Sequence, residues 1–132
     1  MYTASSQPSS YNPPTQPSYQ PPPQTYAMTG GDGRTYLVSN ENCQILSAQK
    51  QTLNGTLTYI NAEQNALAME KRQIEKDRQS LDNTDQNAVD AFNLEVQNYN
   101  SSADKVQKEV DAYNAQVNAF NGELEKVGTP QN

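Results

Sequence analysis

At 132 residues, 33% of them hydrophobic, the chain has room for one domain at most and cannot build a thick globular core. Its formal net charge of −6 disfavours nucleic acid or an anionic membrane surface as the main ligand. With no histidine and one cysteine, Cys43, it lacks the commonest general base, the commonest metal ligand and any internal disulfide.

Residues 1–29 carry no charged side chain and hold seven of the eight prolines, as in Pro13-Pro14 and Pro21-Pro22-Pro23. Proline lacks an amide hydrogen and fixes its own φ, so this Pro/Gln/Ser/Tyr-rich stretch is expected as a disordered or extended, polyproline-like tether. Tyr2, Tyr11, Tyr19 and Tyr26 recur along it, either as stickers for a groove or as a by-product of biased composition. Pro14 and Pro17 make one minimal PxxP, a weak ligand signal in any proline-rich segment. The N-terminus lacks the charged and apolar segments of a signal peptide, and no apolar run nears the roughly 18 residues that span a bilayer. The expected setting is therefore intracellular, or else that of a processed or truncated envelope or secreted protein.

Residues 30–38 open with Gly30-Gly31-Asp32-Gly33, a tight-turn sequence. Tyr26 to Thr29 and Arg34 to Val38 are positioned to pair across it as a short β-hairpin. An isolated hairpin is marginal, so it must lean on a helix or a neighbour. No Lys-Ser/Thr pair follows the glycines, which makes a turn the better reading than a phosphate cradle.

Residues 39–128 read as an all-α coiled-coil hairpin, with arms over about 40–82 and 85–127. Ser39 is placed to cap the first arm, with Glu41 in its first turn. Leu46, Leu53, Ile60, Leu67, Ile74 and Leu81 form its stripe at strict seven-residue intervals. The companion positions taken beside that stripe are Cys43, Lys50, Leu57, Gln64, Lys71 and Arg78. Glu63, Glu70 and Asp77 then fall on a solvated flank. Asn54-Gly55 predicts a local bend or fraying point, since glycine costs a helix about 1 kcal/mol relative to alanine.

Asp82-Asn83-Thr84-Asp85 breaks the helix, with Thr84 or Asp85 capping the next. In the second arm both seam positions are filled through six heptads. One series is Val89, Val96, Ala103, Val110, Val117 and Leu124; the other is Phe92, Tyr99, Val106, Tyr113, Phe120 and Val127. Twelve apolar residues in twelve places would arise by chance on the order of once in a million trials. Gly128 and Pro130 supply the stop, and residues 129–132 are left as a tail.

A fold at 82–85 predicts arms of roughly 65 Å at 1.5 Å per residue. It also brings Lys71, Arg72, Lys76 and Arg78 towards Asp85, Asp90 and Glu95. The other reading is one long helix pairing between chains, with 82–85 as a hinge. Asn93, Asn100, Gln107, Asn114 and Asn121 directly follow the seam rings or Val106, either as amides bonding across the seam or as a solvated flank. These Tyr-Asn and Phe-Asn heptads, over residues 89–121, resemble those of long helical hairpins in some bacterial envelope and secreted proteins. The resemblance is of repeat style and brings no catalytic or binding residues with it.

Chemistry has little to work with. Cys43 and Ser47 have no histidine to activate them, and Cys43 fits a small seam position. No cofactor and no metal site is expected. The second arm has more apolar surface than the first can cover, and exposed apolar stripes mark interfaces. Expected partners are therefore proteins, including further copies of this chain, with no nucleic acid and no membrane span. The interface is expected on the Leu46-to-Leu81 stripe and on Val89, Phe92, Val96, Tyr99, Val106, Val110, Tyr113, Val117, Phe120 and Leu124. The functional expectation is a non-enzymatic structural or adaptor subunit. The alternative is a module that presents its Tyr/Pro-rich arm as a ligand, with the hairpin supplying valency.

Overall fold

A computed structural model describes residues 23–131. The expected extended or disordered state of the N-terminal arm falls on residues 1–22, outside the described residues. The described chain is mostly helical, with strand β1 over Thr25–Thr29 and β2 over Thr35–Ser39. Two long helices follow, α1 over Asn40–Ser80 and α2 over Gln86–Val127, and a two-residue strand β3 over Thr129–Pro130. The helices pack along each other as a helical hairpin, because the chain turns back at 81–85 instead of continuing as one helix. At 41 and 42 residues, the arms are each roughly 60 Å long.

The caps follow from local chemistry. Ser39 Oγ accepts the Asn42 N–H at 3.2 Å and so satisfies one of the first free donors of α1. At the tip, Asp82 Oδ1 accepts both the Thr84 N–H at 2.9 Å and the Thr84 hydroxyl at 2.6 Å. Asp85, rather than Thr84, caps α2 by accepting from the N–H groups of Asn87 and Ala88. The bend or fraying expected at Asn54-Gly55 does not interrupt α1, which stays helical through both residues. There the Thr58 hydroxyl donates to the Asn54 carbonyl at 3.0 Å.

The all-α expectation is corrected by a three-stranded antiparallel sheet in the order β1-β2-β3. Residues 25–29, at the end of the expected tether, pair with β2, with Tyr26 opposite Val38 and Met28 opposite Tyr36. Thr129 and Pro130, expected as tail, pair with Leu37 and Tyr36. Gly33 takes a φ of +81°, which L side chains rarely adopt, and so permits the β1–β2 turn. The alternation of the strands sends Met28, Tyr36 and Val38 inward with Tyr26 half-buried beside them. They meet Leu46, Phe120 and Leu124 from the helices in one apolar cluster, flanked by Cys43, Leu53 and Val127. This cluster closes the open end of the hairpin, so the sheet leans on helices as an isolated hairpin must.

Gly128 is a helix stop for a reason other than a left-handed cap. Its backbone is extended, and its N–H bonds Leu124 O at 2.8 Å. A Cβ there would lie 2.7 Å from Tyr36 Cβ and 2.8 Å from Leu124 O. Glycine is required because β2 passes too close for any side chain.

Candidate functional site

The seam between the arms is the site that the sequence reading singled out, and its residues are turned inward. Leu46, Ile60, Ile74, Val106, Phe120 and Leu124 are buried. Leu53, Leu67, Leu81, Val89, Phe92, Val96, Tyr99, Val110, Tyr113 and Val117 are half-buried. The apolar surplus of α2 is thus divided. Phe120 and Leu124 are covered by the sheet, while Phe92, Tyr99 and Tyr113 keep part of their surface in solvent.

The first arm is rotated relative to the sequence reading. Lys50, Leu57, Gln64, Lys71 and Arg78 are exposed, and of the expected companions only Cys43 is half-buried. Thr56, Glu63, Glu70 and Asp77 take that place instead. The carboxylates assigned to a solvated flank therefore line the seam. Seven-residue spacing is common to the positions three and four residues after each stripe residue, so periodicity alone does not choose between them.

The rotation places acid against acid. Glu63 meets Glu109, and Lys105 Nζ lies 3.5 Å from Glu63 Oε2 and 3.5 Å from Glu109 Oε1. The remaining oxygens, Glu63 Oε1 and Glu109 Oε2, are buried without a hydrogen-bond partner. Closer to the tip, Asp77 meets Glu95, with Glu70 nearby. Hydrogen bonding to Glu63, followed by burial and the Glu63 charge, holds the Glu109 carboxyl above its usual range against the pull of Lys105. Glu95 is raised in the same sense by hydrogen bonding to Asp77, then by burial and the charges of Asp77 and Glu70. Lys105 is itself raised by the charge of Tyr59 and then by those of Glu109 and Glu63.

The opposite charges expected to meet near the tip do not pair. Among the described residues no ion pair joins Lys71, Arg72, Lys76 or Arg78 to Asp85, Asp90 or Glu95; Arg78 contacts Glu75 of its own helix at 3.9 Å. The cross-arm ion pair is Lys105–Glu63, in the middle of the shaft. Of the amides beside the α2 seam, Asn93, Asn100, Gln107 and Asn114 are exposed, and Gln107 bonds only Asp111 of its own helix. Asn121 differs: its Oδ1 accepts the Gly31 N–H at 2.9 Å and ties the β-turn to α2.

Cys43 lies 3.9 Å from the Ser47 hydroxyl, at the edge of the basal cluster. A shallow groove of about 440 Å³ runs between the arms near the base, with Leu53 and Phe120 on its floor and Gln49, Gln116 and Glu123 on its walls. No helix among the described residues is long and apolar enough to cross a membrane. Comparison with known protein families, curated proteins and solved structures yields no match.

Proposed function

We propose that this chain is a non-enzymatic structural or adaptor subunit, whose coiled-coil hairpin assembles with a second copy or a protein partner. In that reading the N-terminal arm reaches another component of the same assembly. The observation that carries it is the uneven cover of α2. The sheet hides its last ring, Phe120, whereas Phe92, Tyr99 and Tyr113 stay half-buried and Leu94 and Met69 are 57% and 66% exposed on the shaft. Apolar surface left along a rigid rod is the usual mark of an interface. The topology adds a direction. The chain enters β1 beside Ser39, where α1 begins, so Thr25 lies at the base, a full helix length from the tip.

Light scattering of the full chain tests the self-assembly version, since a species that stays monomeric at tens of micromolar overturns it. Capture of a partner by the full chain and by a chain lacking residues 1–22 separates the adaptor from the alternative, a module presenting its arm as ligand. An adaptor hairpin retains its own partner after the deletion, and a presenting module loses capture altogether. The cut falls at 22 because residues 25–29 belong to the sheet.

A further inference from the structure

The middle of the shaft carries charge where a helix seam ordinarily carries hydrocarbon. Two carboxylates offer acceptors only, so a facing pair has no donor to share. Lys105 reaches one oxygen of each partner, Glu63 Oε2 and Glu109 Oε1, and leaves the two buried oxygens unserved. The Glu63 side chain is 19% exposed and that of Glu109 27%, so water answers only part of the deficit. Two heptads towards the tip a second acid pair, Asp77 and Glu95, meets in the same register with Glu70 as the further neighbour, and there the Gln73 amide donates to Asp77 Oδ1 at 2.9 Å. Lys105 and Tyr59 are the other charged or titratable groups that act on the first layer, and Asp104 and Lys108 line the same hollow beside Lys105 and Glu109. The sheet packs at the base and adds no charged group to either layer.

We propose that the two layers form a pH-sensitive latch: each carboxyl pair holds the arms together by sharing one proton from solvent, and the mid-shaft loosens when every carboxyl is ionised. A single proton turns one partner into a donor and satisfies both buried oxygens of the first layer at once. The raised carboxyls of Glu109 and Glu95 agree with that geometry. A carboxyl raised on folding contributes stability that is complete below its unfolded value, here 4.5, and is lost as the pH rises through the folded value. The shaft is therefore tighter in acid than when every carboxyl is ionised. Leu67, Ile74, Tyr99 and Val106 lie between the layers and are the seam residues that opening would free. The latch is a property of the shaft itself and does not rest on the assembly reading.

Thermal unfolding of the full chain, followed by circular dichroism between pH 7.5 and 5 at constant ionic strength, tests it. The wild-type midpoint is expected to rise by several degrees on acidification. The double substitution Glu95→Gln/Glu109→Gln raises the midpoint at pH 7.5 and flattens the further rise, because an amide supplies the missing donor at any pH. Glu41→Gln/Glu125→Gln, which removes two exposed charges outside both layers, leaves the rise in place and so separates the latch from a general effect of net charge. A wild-type midpoint that stays level or falls between pH 7.5 and 5 overturns the proposal. So does a double variant that keeps the full rise or fails to fold, or a control pair that flattens it equally.

Discussion

The base and the shaft of this hairpin use the same two helices and solve burial differently. At the base, Val38, Leu46 and Leu124 are almost wholly removed from water, because the sheet forms a third layer over the groove between the helices. Along the shaft there is no third layer. Ile60, Ile74 and Val106 are buried, but their seam neighbours are half-open and Glu63, Glu70, Asp77, Glu95 and Glu109 share the interface. Two helices in contact cover only one stripe of each other, so side chains flanking that stripe stay wet unless another element lies across them. The base accordingly concentrates the apolar burial, while the shaft tolerates ionisable groups because water reaches its edges. Opening free energy should therefore be graded along the rod, highest at the sheet.

Substitutions at the two levels can break that comparison. Leu124→Ala leaves a cavity in the basal cluster and is expected to cost about 3–4 kcal/mol, the middle of the range for buried leucine. The loss should be read from urea unfolding, together with loss of the amide protection of β1 and β2. Gly128→Ala forces a methyl against Tyr36 Cβ and Leu124 O, neither of which can swing away, and is expected to cost about 2 kcal/mol. Leu67→Ala, at a half-buried shaft position, is expected to cost only about 1 kcal/mol, because water already reaches part of the leucine. A Leu67→Ala penalty equal to that of Leu124→Ala would show that the shaft is as tightly packed as the base.

The sequence made the shaft easier to foresee than the base. Heptads report a seam directly, and both α2 series and the α1 stripe lie where they were expected. Ser39 and Asp85 were legible as caps because a short oxygen-bearing side chain beside free N–H groups has little else to do. The rotation of α1 was not legible. Thr56, Glu63, Glu70 and Asp77 share the seven-residue period of Leu57, Gln64, Lys71 and Arg78, and apolar weighting favours the set containing leucine and long amphipathic stems. Strand β3 was hidden for another reason, since two residues carry no periodicity and pair only because Gly128 lets the chain turn against β2. The sheet's role as a lid depends on contacts such as Gly31 with Asn121, ninety residues apart, which no local pattern records.

The smallest effects belong to the tip, the point farthest from the basal cluster. Asp85→Ala removes the acceptor for two N–H groups at the start of α2 and is expected to cost about 1 kcal/mol. Hydrogen exchange should show faster opening over residues 82–92, with the protection of β1 and β2 unchanged if stability is graded along the rod. Asp82 supplies a pH test of opposite sign to the seam acids. Its bonds from the Thr84 hydroxyl and then the Thr84 N–H hold its carboxyl below the usual value of 3.8. Its contribution is therefore present above that value and lost as the pH falls through the lower, folded one. Thr84→Val removes the hydroxyl and should shrink this acid loss at the tip without altering the gain between pH 7.5 and 5 at the seam. Both regions titrate carboxyls, yet one gains and the other loses in acid, because Asp82 takes both of its bonds from Thr84 donors, whereas Glu95 and Glu109 each face another acid across the seam.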